Sequence, residues 1–313
     1  MIAESQPLVS IGIPTYNRAE SYLPLALDSA LSQDYPNLEI IVSDNASTDG
    51  TEAFLRSKED SRIRYFRHPE SIGGANNFNF CVKKAKGVYF LLLHDDDLVD
   101  PDFVSVCMRA LEGRRNIGVV RTGIRLIDAN GRVLSEKQNP ADGLSFEAFL
   151  KAWFDGKTWH YIPNTLFQLE GLKRLGGFHS QRYLFQDGAA LVRMASDLGR
   201  VDVGPVKASF RRHGENFGAH PSHALAWAED CLYLRDIVLE LVAGPERVDV
   251  HRAATRFLCR KAYRQASRIP GVVDRAKMYA RIYAMFGYRQ LPPAMQPQRW
   301  MRDLSKAISG ALR

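Results

Sequence analysis

The chain has 313 residues, 45% hydrophobic and 25% charged, with a formal net charge of +7. That size and balance fit a soluble protein with a well-buried core, built as one large α/β domain with an appendage or as two domains. No apolar run approaches the ~18–20 residues a membrane span needs. The N-terminus, MIAESQPL, lacks the basic and apolar regions of a secretory signal. Cys81, Cys107, Cys231 and Cys259 show no paired spacing, which argues against a disulfide framework or zinc site and points to a reducing cytoplasm.

The net charge hides an asymmetry. Residues 251–313 hold 14 Lys and Arg against 2 Asp and Glu, which leaves 28 against 33 in the first 250. A mildly acidic body and a strongly basic tail suggest two roles within one chain.

Leu8 to Pro14 (LVSIGIP) reads as a first strand, and TYNRAE leads from it into an amphipathic helix through Leu23, Leu27, Ala30 and Leu31. Leu38 to Ser43 is a second strand ending at Asp44. In the turn NASTDGT that follows, Ser47, Thr48 or Asp49 can cap the next helix. Ile63 to Phe66 is a third strand, followed by HPESIGGANN and a helix to Lys86. The next stretch, GVYFLLLHDDDLVDP from Gly87 to Pro101, organises the rest. Tyr89 to Leu93 has the continuous apolar character of a strand buried on both faces. It runs straight into Asp95, Asp96 and Asp97.

Strands alternating with helices at this spacing imply βαβ units and a mostly parallel sheet. Ligands bind such sheets beyond the carboxyl ends of the strands. Tyr16 to Arg18, Asp44 and Asp95 to Asp97 all fall at that edge although they are far apart in sequence. Adjacent carboxylates repel one another, so a fold that keeps three at one strand end calls for a positive partner. A hard divalent cation suits them, because it takes carboxylate oxygens and leaves room for a substrate phosphate. The competing reading is a solvated turn in which Asp97 to Pro101 starts the next helix.

Further on, Gly118 to Val133 reads as two strands around an Asn130-Gly131 turn, with Ser135 to Gly143 as a surface loop and Phe146 to Phe154 as a helix. Asp187 opens a helix containing Leu191, Val192, Met194 and Ala195, and Val201 to Arg211 is a strand ending at Arg212, His213 and Gly214. The remainder is helical, broken near Gly244-Pro245, Pro270-Gly271 and Pro292-Pro293. There is no internal repeat. Arg252, Arg256, Arg260, Arg264 and Arg268 recur every four residues, a slowly winding basic stripe on one helix. It reads either as a solvated or interface face, or as an element that meets anionic lipid or the phosphates of a lipid-linked acceptor. No recognised nucleic-acid-binding fold is present, so no nucleic acid is expected.

With IPTYNR, VSDNASTDGT, LLHDDDLVDP, GGF and FQDG in this order, the chain resembles a family 2 glycosyltransferase of GT-A fold over roughly Val9 to Gly218. The resemblance implies a GT-A domain over residues 1–220, with a nucleotide-sugar-binding half to about 117 and an acceptor half from about 118. A basic helical region covers residues 221–313. It further implies transfer of a sugar from a UDP- or dTDP-sugar, with inversion, to a glycan or lipid-linked acceptor in surface polysaccharide synthesis. The compartment implied is the cytoplasm or the inner face of its membrane, and an oligomer is compatible.

By position in the family pattern, Pro14, Thr15, Tyr16 and Arg18 line the base. Asp44 accepts the N3–H of uracil or thymine, against a competing role as an Asx-turn residue. Asp95 lies toward the ribose. Matching the downstream Asp-Pro to Asp100-Pro101 makes Asp96 the metal ligand with Asp97 second, although spacing alone pairs Asp95 with Asp97. His213 joins them, which tilts the preference from Mg²⁺ toward Mn²⁺. His94 stands where many members carry an Asp, and Phe78-Asn79 where many carry Arg-Asn. Asn76 and Asn77 either give amide contacts to the donor or serve the turn. Gln186-Asp187 matches the family's Glu-Asp pair, making Asp187 the general base, or alternatively a helix-start acid.

A sugar nucleotidyltransferase, or a non-catalytic nucleotide-sugar-binding scaffold docked at a membrane, are the competing functions. Gln296 to Trp300 spells the Gln-x-x-Arg-Trp signature of processive synthases, but without their transmembrane helices, and reads as coincidence.

Overall fold

A computed structural model of the chain describes residues 6–114, 116–214, 218 and 220–292. In chain order the elements are β1 (Val9–Thr15), α1 (Leu23–Leu31), β2 (Leu38–Asp44), α2 (Thr51–Arg56), β3 (Ile63–Arg67), α3 (Gly74–Lys84) and β4 (Tyr89–Leu92). They continue with β5 (Leu98–Val99), α4 (Phe103–Ala110), β6 (Val119–Ile127), β7 (Val133–Lys137), α5 (Phe146–Phe154), β8 (Thr165–Gln168), α6 (Leu169–Arg174), α7 (Gln186–Leu198) and β9 (Arg200–Arg211). All nine strands join one sheet in the order β3-β2-β1-β4-β8-β6-β9-β5, with β7 paired to β6. β1, β2, β3 and β4 pair in parallel, as do β6 and β9, while β8, β7 and β5 run against them. The sheet is therefore mixed, with most strands in the expected common direction.

The apolar runs bury as their patterns require. Every residue of β1, β2 and β4 is buried, the signature of strands covered on both faces. Close approach of α3 depends on Gly12, where a Cβ would lie 2.7 Å from Cys81 Cβ and from the Phe90 ring. The GGF motif is tied to the same helix. The Asn79 amide accepts from the Phe178 N–H at 2.8 Å and donates to the Phe178 carbonyl at 3.0 Å. Gly177, at φ 88°, leaves room for it.

Two expected boundaries move. Leu98–Val99 does not open a helix; it pairs antiparallel with β9, and α4 starts at Phe103. The strand after β6 begins at Val133, because the Asp128 carboxylate accepts from the N–H groups of Asn130 and Arg132 at 2.9 Å and holds those residues in the turn.

Two compact units divide after His213, as residues 1–213 and 214–313, ahead of the boundary expected at 220. The second unit holds α8 (Ala224–Leu241), α9 (Arg247–Ala266) and α10 (Val272–Met285), with breaks at the expected Gly244-Pro245 and Pro270-Gly271. On α9, Ala253, Ala254, Leu258, Ala262 and Ala266 are buried. Arg252, Arg260 and Arg264 on that helix, and Arg268 just beyond it, are exposed, and Arg256 is half-buried. No helix among the described residues is long and apolar enough to cross a membrane. The Gln296–Trp300 signature lies outside the described residues.

Candidate active site

The carboxyl ends of β1, β2, β4 and β9 open on one edge of the sheet, and most of the singled-out residues gather there. β1 delivers Pro14 and Thr15, both buried, and then Tyr16, which is 51% exposed and presents a free aromatic face. The Tyr16 N–H reaches Asp95 Oδ2 at 3.4 Å. Arg18 lies in the following turn and its charge acts on both Asp95 and Asp96.

The acidic tip is not a solvated turn. Asp97 is fully buried; its Oδ1 accepts from the Arg211 N–H at 2.9 Å, whereas its Oδ2 has no hydrogen-bond partner. Asp96 Oδ2 lies 2.8 Å from His213 Nε2. Ligand atoms of His94, Asp96 and Asp97 all come within 4.8 Å of one another, a grouping that could hold a metal ion. His94 Nε2 is also buried without a hydrogen-bond partner. Two carboxylates and an imidazole, two of their atoms orphaned in the interior, fit a divalent cation, and the nitrogen donor suits Mn²⁺ better than Mg²⁺.

Electrostatics agree with that fit. Burial, then the neighbouring Asp96 charge, pushes Asp95 up to about 7 and Asp97 well above the usual carboxylate range. Burial acts on Asp96 as well, but the His213 hydrogen bond and the charges of His94, His213 and Arg18 outweigh it and hold Asp96 below that range. Burial lowers His94, against the pull of Asp96 and Asp187.

Arg211 is the positive group that holds the tip together. Its buried guanidinium donates from Nε to the Asp96 carbonyl at 2.8 Å and from Nη1 to the carbonyls of Asp128 and Ala129 at 3.2 Å, and it stacks over Tyr22 at 4.7 Å. Asp100 fixes the loop behind the tip. Its carboxylate takes a bidentate hold of Arg125, at 2.6 and 3.2 Å, and its carbonyl accepts from Gln33 at 2.8 Å.

Asn77 and Asn76, read either as amide contacts to the donor or as turn residues, both have partners within the fold. Asn77 is buried and both ends of its amide are used on Ser43: Oδ1 accepts from Ser43 Oγ at 2.5 Å and Nδ2 donates to the Ser43 carbonyl at 2.9 Å. It braces α3 against β2. Asn76 likewise donates to its own turn, at the Ile72 carbonyl. Asp44 is fully buried, with Oδ1 accepting from the Ser47 N–H and Oδ2 from the Tyr65 hydroxyl, each at 2.8 Å. The turn role is thus present, and a base reaching this carboxylate would share an oxygen with Ser47 or Tyr65.

Phe78, at the position where a basic residue was looked for, lies against His94 with ring centroids 4.8 Å apart. Asp187 sits in the first turn of α7, its side chain 26% exposed, with Oδ2 3.3 Å from His160 Nε2. Sequence reasoning did not single out Arg211, or His160, and it noted His94 only as a departure. For His94 the signal was available, because an imidazole is itself a metal ligand.

A sheet of this order with an acidic cluster at its carboxyl edge defines the GT-A class of glycosyltransferase folds. Among solved structures, Staphylococcus aureus TarS (residues 1–349, in complex with UDP-GlcNAc) superposes with a TM-score of 0.64 at 15% identity, over 90% of this chain and 82% of that one. The mannosyltransferase PcManGT from Pyrobaculum calidifontis, in complex with GDP-Man and Mn²⁺, gives 0.56 at 22% identity over 99% and 82%. The sequence model of glycosyl transferase family 2 matches residues 10–172, and the chain belongs to that family. An uncharacterized glycosyltransferase of Rickettsia typhi is 38% identical over 53% of this chain and 53% of its own length. Chondroitin synthase of Escherichia coli is 34% identical over 42% of this chain and 19% of its own length. The chain thus spans from about a fifth to about half the length of these curated relatives.

Proposed function

We propose that the chain is a divalent-cation-dependent, inverting glycosyltransferase that moves a sugar from a UDP- or dTDP-sugar to a glycan or lipid-linked acceptor. The observation that carries this is the His94, Asp96 and Asp97 cluster, in which no hydrogen bond satisfies the buried Asp97 Oδ2, at the same sheet edge as Tyr16. A cation bound there supplies positive charge against the leaving diphosphate. Asp96, Asp97 and His94 would hold it, with His213 bearing on Asp96. Tyr16 offers a face for the base, and Thr15, Arg18 and Asp95 line the path from base to ribose and diphosphate. Asp187 takes the acceptor's proton as attack proceeds, because a sugar hydroxyl is far too weak an acid to ionise at neutral pH.

The basic second unit supports a finer reading, peripheral contact with an anionic bilayer or with lipid-linked phosphate. Arg260, Arg264 and Arg268 are exposed, and Val272 and Val273 at the start of α10 are 71% and 66% exposed. Sedimentation with phosphatidylglycerol vesicles that survives Arg264→Glu with Arg268→Glu would remove it.

A thermal-shift panel of UDP-, dTDP-, GDP- and CMP-sugars, with and without Mn²⁺, tests the central reading. Stabilisation by UDP or dTDP donors only with metal is expected. A preference for GDP or CMP removes the role given to Asp44, and metal-independent binding removes the role given to the acidic tip.

A further inference from the structure

Tyr16 is 51% exposed, and among the described residues its side chain makes no hydrogen bond and meets no other ring. Its N–H reaches Asp95 Oδ2 only at 3.4 Å. The direction of the ring is therefore set by the backbone on either side, Thr15 in β1 and Asn17 beyond it. Asn17 is left-handed, at φ 53°, a conformation asparagine tolerates better than most residues with a side chain. It is tied to the loop after β2. Its N–H donates to Ser47 Oγ at 2.9 Å, and its Oδ1 accepts from the Thr48 N–H at 2.8 Å. Two further bonds run alongside: the Ala19 N–H donates to Asp49 Oδ2 at 3.2 Å, and the Asn45 N–H to the Thr15 carbonyl at 2.9 Å.

The loop after β2 is itself a fixed frame. Asn45 Oδ1 accepts from the Ile72 N–H at 2.8 Å, and its Nδ2 donates to Ser71 Oγ at 3.0 Å. Arg67 donates to the Ser47 carbonyl at 3.0 Å. Ser47 is buried and forms the joint between the two loops. Its N–H donates to Asp44 Oδ1 at 2.8 Å while its Oγ accepts from Asn17. Hydrogen bonds through one buried residue thus join Asp44 to the residue that follows Tyr16.

We propose that Asn17 and Ser47 are positioning residues for the donor: together they form a strut that holds the Tyr16 ring at a set place relative to Asp44. This rests on the reading of Tyr16 and Asp44 as contacts to the base. The alternative is a pair of loops that merely satisfy their own backbone groups. That need does not account for two non-glycine residues held left-handed, Asn17 on one loop and Ala46, at φ 61°, on the other. Such conformations are costly and persist where surrounding contacts impose them, typically at ligand clamps. An exposed ring on an untied loop would sample many directions, and a ligand would bear the cost of stopping it. The strut removes that cost in advance.

Hydrogen–deuterium exchange of the full chain tests the strut without ligand. Asn17→Gly keeps the left-handed backbone and deletes only the Oδ1 bond. It should speed exchange of the Thr48 amide and of residues 16–21, with β1 and β2 unchanged. Unaltered exchange at Thr48 overturns the proposal. Titration calorimetry with UDP and Mn²⁺ tests the consequence. Asn17→Gly, and Ser47→Ala, which keeps the Ser47 N–H on Asp44, should each weaken UDP about 3- to 10-fold. In a Tyr16→Ala background neither should cost more than about a further twofold, because no ring remains to be positioned. Losses that add in full overturn it. In hydrolysis of UDP-GlcNAc with Mn²⁺, donor KM should rise while kcat stays within about twofold of wild type. A fall in kcat at constant KM also overturns it. Should Tyr16→Ala alone leave UDP affinity unchanged while Thr48 exchange responds to Asn17→Gly, the base-site reading fails and the strut does not, so the two failures are distinguishable.

Discussion

Asp44 and Asp97 are both fully buried carboxylates at the carboxyl edge of one sheet, yet the fold treats them in opposite ways. Around Asp44, β2 runs into a turn that brings the Ser47 N–H to one oxygen, and β3 brings the Tyr65 hydroxyl to the other. Around Asp97, the Arg211 N–H reaches one oxygen and nothing hydrogen-bonds the other, and burial, then Asp96 and Asp95, raise its proton affinity. A buried anion with a complete set of partners contributes to the fold. One with an orphaned oxygen costs free energy until something positive arrives. The pair therefore separates the half of the site that is built in advance from the half that is completed by a ligand.

The largest effects should come from the incomplete half. Asp96→Ala removes a central member of the cluster, and it should abolish the Mn²⁺-dependent thermal shift and lower turnover at least ~10²-fold. Wild-type turnover after chelation and without added metal should fall to the same level. Undiminished activity in either experiment would mean that the tip is not a metal site. Asp44→Ala should act on stability instead. It strands the Ser47 N–H and the Tyr65 hydroxyl, at a cost of about 3 kcal/mol, seen as a fall in Tm that is the same with and without Mn²⁺.

Asp97→Asn sharpens the contrast with a change of opposite sign. The amide oxygen can still accept from the Arg211 N–H, while the uncompensated charge is gone. The metal-free chain should gain about 1–2 kcal/mol, as expected when a buried unpaired charge is neutralised, and should lose its response to Mn²⁺. A metal-free Tm at or below that of wild type would show that Arg211 already compensates the charge in full.

The sequence disclosed this division only in part. Strand interiors were legible because β1, β2 and β4 are covered on both faces and so read as unbroken apolar runs. The acidic triplet and the ordered motifs located the edge, and the prolines and glycines of the second unit marked its helix breaks. Burial of Asp44 was not legible, because it depends on Tyr65 reaching across from β3, a contact between strands that no local pattern encodes. The bracing role of Asn77 was hidden for the same reason: next to Gly73-Gly74 it looks like a turn residue, and only its placement opposite Ser43 shows that its amide ties α3 to β2. Arg211 was invisible because its role lies entirely in long-range contacts to the acidic tip. His94 was visible only as a substitution, since its closeness to Asp97 is a product of the turn after β4.

Tyr65→Phe carries the smallest expected effect and bears most directly on whether Asp44 reads the base. Burial, and then the hydrogen bond to Asp44, pushes the Tyr65 phenol up, so it remains a hydrogen-bond donor throughout the neutral range. Removing the hydroxyl takes one partner from Asp44 Oδ2 and leaves Arg67 Nε at 3.7 Å as the nearest cation. Tyr65 is only half-buried, so water can replace part of the lost bond, and the cost should be about 1 kcal/mol. If a pyrimidine N3–H uses that oxygen, it no longer has to share it with the phenol. UDP affinity should therefore rise a few-fold in Tyr65→Phe while CMP affinity does not change, a separation that titration calorimetry can resolve. An equal gain for both nucleotides would mean that the variant merely opens space beside β3. Weaker UDP binding would mean that the phenol itself contacts the base, and Asp44 would then belong wholly to the half of the site that the fold completes by itself.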